Sequence, residues 1–403
     1  MFLKITSFKN LLTAYRKTRK RKRFRRKLQK FELNLEDRLI DVQKKLKTGS
    51  YRPKQYHQFL VYEPKLRQVS APAFIDRVVH HAIINIIEPL FDRQFISNTF
   101  ACRKKKGTHA CMLQTAKCYQ RLIKKCPILY VLKCDIKSYF ASINHFILIK
   151  FLTQTITCPK TLNLLKTIIN SYEDILDCGI PIGNLTSQLF ANIYLHPLDL
   201  YVTKTINEKN YCRYMDDFII LSRNKDYLIC LRKKIQKFLH RNLNLQLHPR
   251  KANIFRGDRG LDFVGYFIKP DNITLRKKTL RHYKKRHKKR LKQLQNYKKQ
   301  LREIQMTSQL PLFKKHHQAF GSTHRSTPTG VDIRSIVGAD PCVRPQSDPC
   351  AALLEEKIQA LKTKLRASRN SFKGFLQYSE YKKLKSGGVN VSGIIIPKIF
   401  PKK

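Results

Sequence analysis

The chain has 403 residues, and its 82 lysines and arginines against 27 aspartates and glutamates give it a formal net charge of +55. This excess excludes an ordinary metabolic enzyme and indicates a polyanionic partner, with nucleic acid ahead of an anionic membrane surface. The length suggests two or three domains. A hydrophobic content of 42% is enough to bury cores, so wholesale disorder is excluded too.

No run approaches the roughly 18 apolar residues that a membrane-spanning helix needs, and the first residues lack the pattern of a secretory signal. The 11 cysteines are odd in number and form no CxxC pair, so we expect neither a disulfide framework nor a structural zinc site. We therefore expect a soluble intracellular protein with reduced thiols.

The N-terminal part of the chain is strongly basic. Residues 1–30 carry 13 basic and no acidic groups, and we expect such a run to stay solvated unless phosphates neutralise it. Apolar residues at every third or fourth position then predict one helix over residues 28–46, with Gly49 as its left-handed cap. A second apolar helix is predicted over residues 78–90.

The middle of the chain predicts an α+β fold. Short apolar runs at 128–136, 218–221 and 263–267 indicate strands, and residues 162–172 and 228–242 indicate helices that back the sheet.

The last third of the chain alternates between helical and irregular patterns. Residues 276–302 carry 14 basic and no acidic groups at helical spacing, which predicts a helix with one packed stripe and a cationic remainder. No period is visible across 321–350, which we interpret as a loop or insertion of low order. Helical spacing resumes at Leu353.

Two adjacent acids stand out because they lead into an apolar run. Tyr214-Met215-Asp216-Asp217 is followed directly by Phe218-Ile219-Ile220-Leu221. Partly buried carboxylates repel each other unless a cation lies between them. The alternative interpretation is an exposed turn, where such acids are common.

Asp135 is a third candidate acid, because it lies near the end of the strand predicted over residues 128–136. A carboxylate at a strand end, beside a hairpin with two more, offers oxygen ligands for two Mg²⁺ ions. Such a site could join a 3′-hydroxyl to the α-phosphate of a nucleoside triphosphate. Taken alone, Asp135 is better explained as the cap of a following helix.

The order of these motifs resembles that of a reverse transcriptase. Asp135 with Phe140 is similar to the first palm motif, and Tyr214-Met215-Asp216-Asp217 to the hairpin that carries the other catalytic acids. His248-Pro249-Arg250-Lys251 and Asp262-Phe263-Val264-Gly265-Tyr266 resemble the next two palm motifs. The resemblance runs from about residue 28 to 303 and implies that Asp135, Asp216 and Asp217 are catalytic and bind two Mg²⁺ ions, with Mn²⁺ as a substitute.

Three segments narrow the resemblance to the reverse transcriptases of diversity-generating retroelements. They are residues 76–82, residues 101–109 and Ile182-Gly183-Asn184-Leu185-Thr186-Ser187-Gln188. Most reverse transcriptases have Gln where Ile182 stands, and in this family the change accompanies error-prone copying of template adenines. Ile offers no polar group to hold a base pair in register, which is consistent with loosened selection.

The resemblance also implies deoxynucleotide-binding residues. Lys65 and Arg67 would contact the incoming triphosphate, as paired cations suit its charge, although an ordinary exposed basic loop explains them equally well. Phe140 would clash with a ribose 2′-hydroxyl, the alternative being a core residue. Ile182 and Gly183 would lie against the nucleotide.

Lys251, Gly265 and Tyr266 receive roles in the same way. Lys251 would lie near the leaving pyrophosphate, where an ammonium group can neutralise charge or donate a proton, unless it is simply a surface charge. Gly265 and Tyr266 would form the primer grip, where a glycine permits close backbone approach. A bulge in any sheet would also explain Gly265.

The implied architecture is a right hand with fingers, palm and thumb, in which the palm is an antiparallel sheet backed by helices. We predict a basic N-terminal extension and fingers over 1–130, a palm over 131–275, a helical thumb over 276–305 and 352–390, and a low-order insertion over 306–351. The expected partners are an RNA template, a DNA or RNA primer, dNTPs and a small helical accessory protein in trans, without a membrane. The expected location is the cytoplasm of a prokaryote, with a phage as a possible source of the gene.

The predicted function is the synthesis of adenine-mutagenised complementary DNA for retrohoming into a target gene. One alternative is a reverse transcriptase of the group II intron or retron kind, although the intron type usually has a splicing domain beyond the thumb and this sequence ends too soon for one. Another is a catalytically impaired RNA-binding derivative of the fold, favoured if the insertion has inactivated the enzyme.

Overall fold

The computed structural model describes residues 1–20, 26–62, 66–126, 128–172, 176–308 and 353–370. They fall into two compact units, one of which holds the described residues up to Arg276 and the other those from Lys277 to residue 370. The helices of the first unit are α1 (Phe2–Thr6), α2 (Phe8–Arg19), α3 (Arg26–Glu32), α4 (Leu35–Thr48), α5 (Phe74–Asp92), α6 (Thr108–Lys125), α7 (His145–Thr153), α8 (Pro159–Ile169), α9 (Leu185–Leu200) and α10 (Lys225–Leu243). Its strands are β1 (His57–Val61), β2 (Arg67–Ala71), β3 (Tyr130–Cys134), β4 (Tyr211–Tyr214), β5 (Asp217–Ser222), β6 (Asn253–Arg256), β7 (Leu261–Phe263), β8 (Tyr266–Ile268) and β9 (Ile273–Leu275).

The centre of the first unit is a four-stranded antiparallel sheet in the order β4-β5-β3-β6. Phe218 to Leu221 in β5 are at most 1% exposed, which explains why this strand is continuously apolar. Helix α10 packs on β3 and β5 with a stripe of buried apolar residues at helical spacing. Helix α6 packs on β4 and β5. The predicted α+β class, with an antiparallel sheet backed by helices, is confirmed.

The basic N-terminus is ordered more extensively than the sequence predicted. We expected residues 1–30 to stay solvated, whereas α1 and α2 bury Ile5, Leu11 and Tyr15 at no more than 1% exposure and pack on α5. The amide of Asn10 donates to the backbone carbonyl of Ala82 at 2.9 Å. The apolar residues of α2 lie on a single face of the helix. A count of charges does not reveal this amphipathic pattern, because it ignores where the residues lie around the helix.

The helix predicted over residues 28–46 is in fact two helices, so that prediction was wrong in its continuity. Helix α3 ends at Glu32, and α4 begins after Asn34, whose φ of −124° and ψ of 47° depart from helical values. The predicted end is correct, because Gly49 adopts a left-handed φ of 75° and its N–H bonds the carbonyl of Leu46.

The strand predicted over residues 263–267 is a hairpin instead. Phe263 ends β7 and pairs with Tyr266 at the start of β8, so Val264 and Gly265 form a two-residue turn. Both residues have positive φ values, 44° and 90°, as a type I′ turn requires. Two apolar half-strands joined by so short a turn gave one continuous apolar run in the sequence.

The second unit contains helix α11 (Lys277–Ser308) and helix α12 over residues 353–370. Leu354, Ile358 and Leu361 of α12 are buried, and the ammonium of Lys357 lies 5.8 Å from the ring centroid of Tyr297. The residues at helical spacing that we predicted to form the packed stripe of α11 are half-buried, except for Leu291, which is 41% exposed. The predicted insertion lies outside the described residues beyond Ser308, as does the predicted thumb beyond residue 370.

Two general expectations can be compared with the described part of the chain. Its nine cysteines are free thiols. None of its helices combines the length and the apolar character that crossing a membrane requires.

The central sheet predicts where the chain is most sensitive to truncation. Ile220 is fully buried in β5 between Leu132 and Tyr211, so Ile220→Ala should lower the free energy of unfolding by about 2–5 kcal/mol through lost burial and a cavity. Leu33→Ala, at a position that is 82% exposed, should change it by less than about 0.5 kcal/mol. Urea denaturation followed by circular dichroism measures both, and equal losses would contradict this account of the core.

Candidate active site

Antiparallel pairing brings three carboxylates to one end of the central sheet. Cys134 at the end of β3 lies opposite Phe218 of β5, so Asp135 and Asp217 occupy adjoining positions just beyond this pair. Asp217 also pairs with Tyr214 of β4, and the intervening turn contains Asp216. Asp135 and the adjacent pair Asp216 and Asp217, which are far from it in the sequence, therefore share one edge.

Burial and the charges of neighbouring acids raise the pKa values of Asp216 and Asp217, and all three acids are half-buried. Burial, together with the negative charges of Asp216 and Asp135, raises the pKa of Asp217 to about 6 against the opposing effect of Lys133 and Lys251. Burial also raises the pKa of Asp216. The sheet edge is thus a site of concentrated negative charge in a chain that is otherwise strongly basic.

A lysine from a distant segment neutralises part of this charge. The ammonium of Lys251 lies 2.6 Å from Oδ2 of Asp135, and the two side chains are 39% and 17% exposed. The backbone fixes this approach, because His248 N–H donates to the Asp135 carbonyl at 2.7 Å and Lys137 N–H to that of Gln246 at 2.9 Å. The segment containing Lys251 thus continues the sheet alongside Asp135.

The β1–β2 hairpin contributes another cation near the acids. Arg67 is exposed at the start of β2, and its positive charge acts to lower the pKa of Asp216. The hairpin is fixed to the segment before α9, because Ser70 N–H donates to the Ile182 carbonyl at 3.2 Å. Lys65, which we predicted as the partner of Arg67, lies outside the described residues.

The Ile182-Gly183 segment packs tightly against this hairpin. Ile182 is half-buried, and Gly183 has a φ of 115°, where a Cβ would lie 3.0 Å from Cγ1 of Val69. A side chain at Gly183 would therefore strain the backbone and crowd the hairpin. Beneath this segment, Nδ1 of His80 lies 2.8 Å from Oγ1 of Thr186, and burial lowers the pKa of His80 to about 4, so this imidazole is neutral at physiological pH.

Phe140 lies in a short 3₁₀ turn just after Asp135, where its ring is half-buried against the core. Its carbonyl accepts a hydrogen bond from Ile180 N–H at 2.8 Å. This bond joins the Phe140 turn to the segment that leads to Ile182. The structure thereby brings Phe140 and Ile182 onto connected backbone next to the acids.

Gly265 and Tyr266 differ in what they could offer a primer. Gly265 occupies the hairpin turn, whereas Tyr266 is fully buried and its hydroxyl lies 2.7 Å from Nδ1 of His109. The tyrosine ring is therefore used inside the protein. The primer-grip role of Gly265 and Tyr266 stays a prediction, in which the turn backbone rather than the buried tyrosine ring would touch the primer.

Sequence reasoning missed a buried ion pair beneath the Asp216 turn. Arg213 and Asp199 have fully buried side chains, and Nη2 of Arg213 lies 2.5 Å from Oδ2 of Asp199. The available signal was Asp199 itself, the only acid within the apolar helix α9. This signal is weak, because an isolated acid near a helix end is usually exposed.

The side-chain positions at the sheet end determine whether a metal ion could bind there. Within the described ranges, no group of three or more His, Cys, Asp and Glu side chains converges to hold an ion. Asp135 is instead bonded to Lys251. The donor chemistry fits a divalent cation, because carboxylate oxygens are suitable ligands and a cation would relieve the repulsion between them. The site for two metal ions remains a prediction. Its expected donors, Asp135, Asp216 and Asp217, lie at neighbouring positions of the sheet.

Known proteins are similar to the part of the chain that contains these residues. A family model described as reverse transcriptase (RNA-dependent DNA polymerase) matches residues 47–268, more than half of the chain. Protein YkfC of Escherichia coli strain K12 is 26% identical over 267 residues, covering 55% of this chain and 68% of that protein. The group II intron-encoded protein LtrA of Lactococcus lactis subsp. cremoris is 21% identical over 308 residues, covering 58% of this chain and 50% of LtrA.

Among solved structures, two yeast telomerases are similar at low identity. Apo telomerase from Candida tropicalis, truncated from its C-terminal domain, gives a TM-score of 0.42 with 14% identity over 58% of each chain. Telomerase from Candida albicans gives 0.43 with 11% identity over 56% of this chain and 46% of that one.

The raised pKa of Asp217 predicts a pH-dependent stability. Its pKa is about 6 in the folded protein and about 3.9 when unfolded, so the folded state binds this proton more tightly and loses stability as the pH rises from about 4 through 6. With EDTA present, Asp217→Asn should raise the free energy of unfolding at pH of about 7.5 by on the order of 1–2 kcal/mol, after discounting for solvent screening. The gain should vanish below pH of about 4.

The matched control for this prediction is Asp271→Asn, at an exposed position. It should leave the unfolding curves of the wild type unchanged across the same pH range. Chemical denaturation at several pH values measures the effect. An Asp217→Asn protein that is no more stable than the wild type at neutral pH would contradict the proposed repulsion.

Proposed function

The chain belongs to the reverse transcriptase (RNA-dependent DNA polymerase) family, and we propose that it synthesises DNA on an RNA template at the carboxylate site of the central sheet. The observation that carries the proposal is the register of β3, β4 and β5, which brings Asp135, Asp216 and Asp217 to one sheet end. Phosphoryl transfer needs charge neutralisation and positioning more than covalent chemistry, and a set of carboxylates flanked by cations suits that need.

Members of this family generally use divalent metal ions. Asp135, Asp216 and Asp217 would hold Mg²⁺ here, with Mn²⁺ as a substitute, and bound ions would neutralise charge on the attacking and leaving oxygens. The protein's own cations have separate tasks. Arg67, at the edge of the β1–β2 hairpin, would orient the triphosphate, and Lys251 would counter negative charge on the leaving pyrophosphate.

The family type is the second part of the proposal. We infer a mutagenic reverse transcriptase of a diversity-generating retroelement, which makes adenine-mutagenised complementary DNA for retrohoming. The support is the apolar Ile182, which is half-buried on a segment bonded to the β1–β2 hairpin and connected to Phe140. This proposal includes an RNA template, a DNA or RNA primer, dNTPs, a small helical accessory protein in trans and a cytoplasmic location in a prokaryotic host.

A second candidate is a reverse transcriptase of the group II intron kind. The observation that favours it is the similarity to the intron-encoded protein of Lactococcus lactis, which covers half of that protein at 21% identity. Both candidates use the same carboxylate site. They differ in the pattern of errors that they make at template adenines, so the sequence of their products distinguishes them.

The catalytic assignment is tested by Asp216→Asn. The change removes a negative charge from the turn while keeping the size of the side chain, so incorporation of dNTPs on an RNA template with Mg²⁺ should fall by at least about 10²-fold. Asp271→Asn serves as the exposed control and should extend the primer like the wild type. Both variants should bind the RNA–primer duplex in a filter assay. Wild-type extension by Asp216→Asn would show that the catalytic assignment is wrong.

The mutagenic type is tested at Ile182. Ile182→Gln supplies a polar group at the position where most family members have one, so the frequency of misincorporation opposite template adenines should decrease relative to that opposite the other bases. Ile182→Val keeps an apolar branched side chain and should retain the wild-type error pattern. Deep sequencing of products made on one defined RNA measures both. A wild type that copies adenines as accurately as other bases would favour the intron-like candidate.

A further inference from the structure

We propose that Arg213 is a positioning residue for the active site, and that it holds the turn presenting Asp216 and Asp217 with Asp199 as its anchor. The inference rests on the proposed function, because it assigns a purpose to a buried ion pair beside the predicted catalytic acids. It concerns residues outside the sheet edge itself, which act through the backbone of the turn.

The first step is the bond from Arg213 to the turn. Nη1 of Arg213 donates to the carbonyl of Met215 at 2.9 Å. Met215 has a φ of 59°, a left-handed conformation that costs energy for a residue with a side chain. A hydrogen bond from a charged donor to this carbonyl stabilises the strained residue immediately before Asp216.

The second step is the fixed orientation of the guanidinium. Nε and Nη2 of Arg213 bond the two carboxylate oxygens of Asp199 at 2.7 and 2.5 Å. The same carboxylate accepts hydrogen bonds from the hydroxyls of Tyr211 and Thr99, each at 2.8 Å. Asp199 is held on all sides, so the forked pair leaves Nη1 aimed at the Met215 carbonyl.

The third step concerns the cost of this arrangement. The side chains of Arg213 and Asp199 are both completely buried, and desolvation of two charges commonly outweighs their attraction. Well-packed apolar residues often stabilise a fold as much as a buried ion pair does, so the pair is weak evidence for a role in stability. A directional donor beneath a strained turn is something that an apolar pair cannot provide.

The pair also joins two parts of the site. Asp199 lies near the end of α9, whose first residue, Leu185, follows the Ile182-Gly183 segment by two positions. Arg213 lies in β4. Its backbone N–H donates to the carbonyl of residue 98, and its carbonyl accepts a hydrogen bond from the N–H of residue 100. The position of the Asp216 turn is thereby tied to the helix that begins beside the predicted nucleotide segment.

The test compares variants that both alter the contacts of Asp199 but differ in whether the hydrogen bond to the Met215 carbonyl is kept. Arg213→Lys keeps the charge near Asp199 but cannot bond Asp199 and Met215 with the same fork. It should reduce Mn²⁺ affinity, measured by electron paramagnetic resonance without substrate, by about 10–100-fold, with a similar loss in kcat. The affinity for the RNA–primer duplex should stay within about twofold of the wild type, because phosphate contacts dominate that affinity.

Tyr211→Phe is the matched control. It removes one of the hydrogen bonds that hold Asp199 and leaves the Arg213–Met215 bond in place, so it should lower the melting temperature and reduce the Mn²⁺ affinity far less than Arg213→Lys does. An equal loss of Mn²⁺ affinity in Tyr211→Phe and Arg213→Lys would overturn the proposal, because both would then reflect general loosening. Wild-type Mn²⁺ affinity in a folded Arg213→Lys protein would overturn it as well.

A double variant keeps the proposal testable if Arg213→Lys does not fold. Arg213→Met with Asp199→Asn removes both buried charges and keeps an oxygen that can accept from the hydroxyls of Tyr211 and Thr99, but it also removes the donor to Met215. We expect a folded protein with the same loss of Mn²⁺ affinity, and wild-type affinity would contradict the inference. If the wild type binds Mn²⁺ but extends no primer, the proposed polymerase function fails while the comparison of Mn²⁺ affinities still tests the positioning role.

Discussion

Electrostatic repulsion among three carboxylates is the constraint around which the first unit is organised. Asp135, Asp216 and Asp217 share one sheet end, where burial raises the pKa values of the last two and their neighbours add to the shift at Asp217. Two of the cations that oppose this repulsion come from segments far apart in the chain: Arg67 from the β1–β2 hairpin and Lys251 from the segment after α10. Folding of the whole unit is thus needed to assemble the charges of the site.

The antiparallel register converts sequence distance into proximity. Because Cys134 lies opposite Phe218, the residues just beyond this pair meet at the sheet edge. A slip of one residue would turn every side chain of β5 to the other face and move Asp217 out of line with Asp135. The continuous apolar sequence of β5 is packed against α6 and α10, so the register of the active site depends on the packing of the core.

The sequence predicted the elements with a strong period and the acids that interrupt an apolar run. It missed features that depend on long-range contacts. The sequence did not predict that α1 and α2 form packed helices, because basic residues dominate the composition of this segment. Leu11 and Tyr15 nevertheless pack on α5. The hairpin at Val264 and Gly265 was hidden because its turn is only two residues long.

The role of Arg213 could not be predicted for a different reason. An arginine beside an aromatic residue in a basic chain looks like surface charge, and only the fold brings it to Asp199, which is 14 residues away in sequence and on another element. Likewise, the motif that predicted a primer grip identified Gly265 and Tyr266 together, whereas only the structure separates a turn backbone from a ring bonded to His109. Local patterns specify residue type and spacing, but partners of buried polar groups follow from the packing.

The large positive charge has a structural consequence that composition alone does not show. Helices α2 and α11 present most of their basic residues on exposed faces while their apolar stripes pack within their own units. Helix formation has already fixed the backbone that carries these charges, so contact with a polyanion would cost side-chain entropy but little backbone entropy. Such charges would add affinity for phosphates without selecting a base sequence, because phosphate contacts carry no base information.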